Sequence, residues 1–380
     1  MTPFPADAIP RWIRSVDPYL PGKAVREIES EIGRRAVQLA SNENPLGPSP
    51  KAIAAAQRAL ADGNRYSEGG DKYLRETLAA RHGVAFENII LGAGSSELIT
   101  FAARALLGPG GVGATCESTF PLYSINIKLT GADLCAIPLR HYAIDLESMA
   151  ASLTETAKAI FLANPNNPTG SMFTADQFES FLAKIPSHVL VVLDEAYAEY
   201  VERVDYSRSI ELVREGRNVL VLRTFSKVFG LAGLRIGYGI GDAALLQELD
   251  KLRAPYNTSS MAEAAALAAL DDTEHVARSV ESNRAGLAQL ERGLDELAVH
   301  HVPSFANFVL VNLGREAKPI AAQLEACGVL VRPLGFMGLP NAIRVTVGTE
   351  DDNANFLNAF GKIVGEKRDA NSKSESREPR

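Results

Sequence analysis

Val219-Leu220-Val221-Leu222-Arg223-Thr224-Phe225-Ser226-Lys227-Val228-Phe229-Gly230-Leu231-Ala232-Gly233-Leu234-Arg235 is an apolar run, a pair of hydroxyls, a lysine, a glycine-rich turn and an arginine. The run Val219 to Leu222 reads as a buried strand. A lysine after such a strand is either an ordinary surface amine or one placed to form a Schiff base with an aldehyde. Ser226 just before it and Arg235 eight residues on favour the second reading, because a hydroxyl and a guanidinium hold phosphate. The segment fits a ligand that carries both an aldehyde and a phosphate.

The same kind of apolar run recurs upstream. Asn88-Ile89-Ile90-Leu91, Val112-Gly113-Ala114-Thr115, Ala159-Ile160-Phe161-Leu162 and Val189-Leu190-Val191-Val192-Leu193 each read as strands buried on both faces. Separated by longer amphipathic segments, they predict an α/β fold with a mostly parallel sheet. Ligands of such sheets collect at the carboxyl ends of strands, and here the Gly-, Asn- and Asp-bearing segments follow those ends. After Ala254-Pro255-Tyr256 the pattern changes to long Ala/Leu/Glu-rich helices, about Met261 to Leu297. Two or three strands and two helices then predict a smaller α+β domain. The charged, Ser-rich residues 366–380 are expected to form a disordered tail.

Composition excludes other classes. The chain has 380 residues and a formal net charge of −7, with no sustained basic face for nucleic acid. No apolar run reaches membrane-spanning length. Met1 to Asp7 lacks a basic region followed by an apolar core, so a cytoplasmic location is expected. Cys116, Cys135 and Cys327 lie far apart and are expected to be buried thiols in a reducing compartment. The six histidines show no metal-ligand spacing, and no metal is expected.

Three more segments carry chemistry. Leu91-Gly92-Ala93-Gly94-Ser95-Ser96-Glu97 is a strand, a turn and a helix start. Ser95 or Ser96 is expected as N-cap, and the free N–H groups there suit a phosphate. Asn164-Pro165-Asn166-Asn167-Pro168-Thr169-Gly170 is a tight loop that also offers amides to a ligand oxygen. Asp194-Glu195-Ala196-Tyr197 ends a buried strand with a carboxylate, which is either a helix cap or the partner of a buried cation such as a protonated pyridine.

Jointly these segments make the chain resemble the fold-type I pyridoxal-phosphate aminotransferases, and among them the histidinol-phosphate aminotransferase family and its aromatic-amino-acid relatives. The resemblance runs from Asp17-Pro18-Tyr19-Leu20-Pro21-Gly22-Lys23 to about Val364. It includes Ser41-Asn42-Glu43-Asn44-Pro45, Asn64-Arg65-Tyr66, Ser304-Phe305-Ala306-Asn307-Phe308 and Val331-Arg332-Pro333 through Arg344-Val345-Thr346. It implies a large domain with a mostly parallel seven-stranded sheet sandwiched by helices (residues 41–270), a small α+β domain (271–365) and an N-terminal arm (1–40).

The cofactor implied is pyridoxal 5′-phosphate. By the resemblance, Lys227 joins it and later moves the substrate's proton, and Asp194 keeps the ring nitrogen protonated. Asn167 and Tyr197 bond the phenolic oxygen, and Phe120 stacks on the ring. Gly94, Ser95, Ser96, Ser226 and Arg235 hold the phosphate; Ser96 stands where the family often has an acid. Tyr66 matches a tyrosine lent by the neighbouring subunit, which implies a homodimer. Arg344, Arg332, Tyr19 and Asn44 match substrate positions, with Asn42 and Asn44 in the segment that covers the site. The implied reaction pairs L-histidinol phosphate and 2-oxoglutarate with imidazole-acetol phosphate and L-glutamate. Aromatic aminotransferases and threonine-phosphate decarboxylases share these cofactor motifs. A non-catalytic binding module would have lost the lysine or the carboxylate.

Overall fold

The computed structural model of the chain describes residues 6–18, 25–67 and 71–375. A short strand β1 (Val37–Gln38) comes first. The central sheet uses β2 (Ile89–Gly92), β3 (Val112–Cys116), β4 (Asp133–Ile137), β5 (Ala157–Ala163), β6 (Leu190–Asp194), β7 (Val219–Thr224) and β8 (Gly237–Ile240). The C-terminal part adds β9 (His301–Val302), β10 (Phe308–Asn312), β11 (Val329–Leu330), β12 (Arg332–Leu334) and β13 (Leu339–Thr346).

The central sheet has seven strands in the order β2-β8-β7-β6-β5-β3-β4. β8 pairs antiparallel with both neighbours, and the other pairs are parallel. Apolar side chains on both faces of β5, β6 and β7 are wholly buried, as continuous Val/Ile/Leu runs require when helices cover each face. The register aligns Asp194 with Ala163 on one side and Leu222 on the other, so the carboxyl ends of β5, β6 and β7 finish together. That shared edge is where the loops carrying Asn167, Tyr197 and Lys227 leave the sheet.

Two strands of the central sheet were not singled out from the sequence. β4 is the half-exposed sheet edge, and its short apolar stretch Leu134-Cys135-Ala136-Ile137 is hemmed in by Asp133 and Pro138, so it does not stand out as a buried strand. β8 has glycine at alternate positions; a Cβ on Gly237 would lie 2.6 Å from the Ser95 nitrogen, so the strand crosses the Gly94–Ser95 backbone only with glycine there.

The helix Ser260–Leu270 packs on the helix Pro50–Leu60, beside the central sheet. At Asp271-Asp272 the chain turns, and the helix Thr273–Glu296 crosses to a second core. That core is richer in strands than expected. β12, β13, β10 and β9 form a four-stranded antiparallel sheet, and β1 pairs in parallel with β11. Leu39, just after β1, is buried among Leu290, Val309, Val345 and Phe356, so the N-terminal segment builds into this second core.

The tail expectation is corrected. The last helix runs Glu350–Glu375, through the first ten residues of the stretch expected to be disordered. Phe356 and Phe360 anchor its first turns in the core, and the residues beyond are mostly good helix formers with no proline before Pro379. The thiol expectation holds for Cys116 alone: Cys135 is half-buried at the sheet edge, and Cys327 is exposed where the helix Lys318–Ala326 ends. Among the described residues no helix is long and apolar enough to cross a membrane.

Candidate active site

Lys227 leaves the carboxyl end of β7 in a turn whose backbone is fixed by the Ser226 N–H donating to Thr224 Oγ1 (3.1 Å) and the Gly230 N–H to the Lys227 carbonyl (2.9 Å). Phe225 and Val228 on either side are wholly buried, which anchors the turn. Gly230 has φ +69°, and a Cβ there would run into the Gly47 carbonyl of the crossing N-terminal segment. The lysine opens into a cavity of about 360 Å³ lined also by Asp194, Tyr197, Asn167, Phe120 and Arg235. That size suits a small organic ligand.

Burial depresses the Lys227 amine from 10.5 to about 8, helped by the Arg344 and Arg235 guanidiniums and opposed by Glu43 and Asp194. Asp194 moves the other way. Burial raises its carboxyl from 3.8 to about 6, against the Tyr123 hydroxyl, the Ala196 N–H and Lys227. The Tyr123 hydroxyl donates to Asp194 Oδ2 at 2.9 Å, whereas Oδ1 is buried with no partner. A buried, unsatisfied carboxylate oxygen on a cavity wall is costly unless a ligand donor meets it. A protonated ring nitrogen is such a donor. Glu195, next in sequence, is spent elsewhere, on Arg223 (2.6 Å) and Ser209 (3.0 Å).

At the anion end, the helix Ser95–Leu106 starts from Gly94, not from a serine cap. Gly94 has φ +79° and no side-chain cap, so the first N–H groups stay available. A Cβ there would lie 2.5 Å from Arg235 Nη2. The missing side chain lets the guanidinium lie against the helix start. Arg235 is oriented by donating to the Ala232 carbonyl (2.9 Å), the Ala93 carbonyl (3.3 Å) and Ser226 Oγ (3.4 Å). Helix N–H groups, a guanidinium and a hydroxyl within one cradle suit a phosphate.

Between these ends, Asn167 Oδ1 accepts from Arg344 Nη1 at 2.6 Å, which turns its NH₂ outward as a donor. The Tyr197 hydroxyl oxygen accepts from Asn42 Nδ2 at 2.9 Å, and Lys227 Nζ sits 5.7 Å from the Tyr197 ring centroid. Phe120 lines the cavity edge-on to Tyr123, with centroids 5.7 Å apart. Arg332 and Arg344 are direct register partners across β12 and β13, and both line the cavity. Arg344 Nη2 also donates to the Ala40 carbonyl (2.7 Å), and Arg332 lies over the Phe336 ring at 4.6 Å. The residues present fit pyridoxal phosphate: a depressed-pKa lysine, a carboxylate for the ring nitrogen, donors for the phenolic oxygen and a cradle for the phosphate.

Two of the sequence candidates lie outside the cavity lining. Asn44 is buried but does not line the cavity. Its amide donates to the Val228 carbonyl (2.7 Å) and Ser279 Oγ (2.9 Å), so it braces the lysine turn. Tyr66 is 77% exposed, stacked on Tyr256 at 4.3 Å and outside this chain's own cavity. Tyr19 lies outside the described residues. Conversely, Tyr123, Asn42 and Glu43 take part in the site without having been assigned these roles. The signal available for Tyr123 was its spacing, one helical turn beyond Phe120.

Comparison with known proteins agrees with this geometry. The family model "Aminotransferase class I and II" matches residues 34–360. A histidinol-phosphate aminotransferase of Thiobacillus denitrificans is 44% identical over 94% of this chain and 94% of its own length. One from Pseudomonas aeruginosa is 43% identical over 96% of this chain and 99% of its own length. The crystal structure of the Sinorhizobium meliloti histidinol-phosphate aminotransferase in complex with pyridoxal-5′-phosphate superposes with a TM-score of 0.86 at 28% identity, covering 93% of this chain and 97% of that one. A Thermus thermophilus aspartate aminotransferase shares the fold at 22% identity, with a TM-score of 0.81 over 93% of this chain and 99% of its own. The chain belongs to the class I and II aminotransferases, within the histidinol-phosphate aminotransferase family, and its cofactor is pyridoxal 5′-phosphate.

Proposed function

We propose that the enzyme exchanges an amino group between L-glutamate and imidazole-acetol phosphate, giving 2-oxoglutarate and L-histidinol phosphate, as a cytoplasmic step of histidine biosynthesis. The observation that carries the substrate choice is the Arg332–Arg344 pair lining the Lys227 cavity. A guanidinium fork receives a carboxylate or a phosphate. Glutamate presents a carboxylate, histidinol phosphate has only its phosphate, and paired arginines serve both. Relatives above 40% identity that bear the histidinol-phosphate name support the same choice.

Bound pyridoxal phosphate supplies an aldehyde carbon that joins the amine and a ring that withdraws charge from the substrate's Cα. The chain's own groups do the rest. Lys227 Nζ would take the Cα proton and return it two bonds further on, at the carbon that was the cofactor's aldehyde. At pKa about 8 instead of 10.5, its neutral fraction at neutral pH is roughly 300-fold larger. Asp194 Oδ1 holds the ring-nitrogen proton, with Tyr123 fixing the other oxygen. Asn167 and Tyr197 orient the ring by its phenolic oxygen, and Phe120 covers its face. Arg235, Ser226 and the helix start at Gly94 anchor the phosphate, so the ring stays in place while substrates exchange.

Active sites shared across a homodimer complete the proposal. Tyr66 and Tyr256 form an exposed aromatic stack outside the chain's own cavity. An exposed aromatic pair set apart from its own site suits contact with a second copy of the chain.

A half-reaction screen tests the substrate. Mixed with the pyridoxal form, histidinol phosphate and glutamate are expected to bleach the visible band, with phenylalanine and tyrosine slower by at least about tenfold. Bleaching by phenylalanine with none by histidinol phosphate would make this an aromatic aminotransferase.

A further inference from the structure

Tyr197 is tied to a segment far from it in sequence. Asn42 is 1% exposed, and its Nδ2 donates to the Tyr197 hydroxyl oxygen at 2.9 Å. The amide is held from its other side. Thr346 Oγ1 donates to Asn42 Oδ1 (3.1 Å) and accepts from the Asn42 backbone N–H (2.9 Å). A flipped amide would set its NH₂ against a hydroxyl already engaged with a donor and turn a carbonyl oxygen toward the phenol. Asn307 Nδ2 bonds the Asn42 carbonyl at 3.0 Å. Asn42 also has φ +55°, a left-handed conformation that asparagine tolerates better than other side chains. Every polar group of Asn42 is therefore fixed.

A phenol has one proton. Since the Tyr197 oxygen accepts from Asn42, that proton is directed away from Asn42, and both residues line the cavity of Lys227. We propose that Asn42, set by Thr346, is a positioning residue that aims the Tyr197 O–H at the phenolic oxygen of the cofactor. The donor chain Thr346, Asn42, Tyr197 starts on β13, two residues beyond Arg344 and hence on the same face of that strand. One strand carries the substrate arginine and sets the donor that governs cofactor ionisation.

A hydrogen bond to the phenolic oxygen stabilises its anion, so the proton shared between that oxygen and the Lys227 nitrogen is held less tightly. Losing the bond raises the pH at which the cofactor's visible band changes. Asn42→Asp keeps the left-handed backbone but presents a carboxylate that accepts the Tyr197 proton. The midpoint is expected to rise by about one to two pH units. Tyr197→Phe should give a shift of similar size, and the double variant should shift no further than either single one. Thr346→Val adds no charge and frees the amide to turn; it should raise the midpoint by a smaller amount, and it serves if Asn42→Asp does not fold. A wild-type midpoint in whichever of these variants folds and retains cofactor would overturn the proposal. So would a shift in Asn42→Asp that simply adds to that of Tyr197→Phe, because a purely structural or through-space effect would not need the phenol.

Discussion

Lys227 and Asp194 are two ionisable groups pushed in opposite directions by the same dry cavity, and their titrations give the most direct residue-scale tests. In the cofactor-free chain the Lys227 pKa of about 8 lies below its unfolded value, so the unfolded state binds more protons between pH 8 and 10.5. The penalty for charging the buried amine is present below pH 8 and is relieved as pH rises. Relative to Lys227→Met, the cofactor-free wild type should gain on the order of 3 kcal/mol across that window, read by urea unfolding at both ends. A constant difference between the two proteins would contradict a buried, depressed amine. Tyr123→Phe removes the hydroxyl that lowers the Asp194 pKa, so the acid limb of kcat/KM should move to higher pH and cofactor affinity should fall about tenfold. Unchanged affinity and an unchanged acid limb would mean that Tyr123 is only packing. Arg344→Ala should lower kcat/KM for glutamate about 100-fold while cofactor retention changes far less. Equal losses would assign that arginine to the cofactor, through Asn167. Lys227, Asp194, Asn167 and Arg235 were legible in the sequence because each follows a strand end or a glycine turn. Asn42 was legible as part of the covering segment and Tyr123 by its spacing from Phe120. The specific roles of Tyr123, Asn42 and Glu43 were not, because they arise from contacts across 71 to 184 positions of chain.

At the scale of elements, the anion cradle depends on how one helix begins. The sequence suggested a serine cap, yet Gly94 occupies that position so that Arg235 lies against the helix start. Gly94→Ala would force φ +79° on a side chain and press a methyl into the guanidinium, costing about 1–3 kcal/mol. Cofactor affinity, followed by fluorescence titration, should fall at least about tenfold; wild-type affinity would remove the cradle from the phosphate site. The strands missed from sequence have a common physical cause. β4 is a half-exposed edge with only a short apolar stretch, residues 134–137, before Pro138, and β8 is half glycine, so neither shows the long Val/Ile/Leu run that marks the central strands. Net charge and serine content concealed the continuation of the last helix, since a helix already anchored by Phe356 and Phe360 extends through residues that would not nucleate one.

The whole molecule brings a sheet edge, an N-terminal segment and a second core to one cavity. Pro45-Leu46-Gly47 crosses the lysine turn, β13 contributes Arg344, and the exposed Tyr66–Tyr256 stack lies outside the cavity. If Tyr66 serves the neighbouring site, mixing unfolded Lys227→Ala and Tyr66→Ala chains and refolding them together should restore activity to about a quarter of wild type, since half the dimers are mixed and each holds one intact site. No recovery would leave each chain to its own Tyr66. The fold class was legible because parallel strands announce themselves, whereas the joining of arm, sheet and second core depends on contacts that composition does not reveal. The central claim is that Lys227 is the amine that holds the cofactor. Borohydride reduction of the holoenzyme followed by peptide mass spectrometry should place a pyridoxyl group on Lys227, and a label on any other lysine would contradict the account.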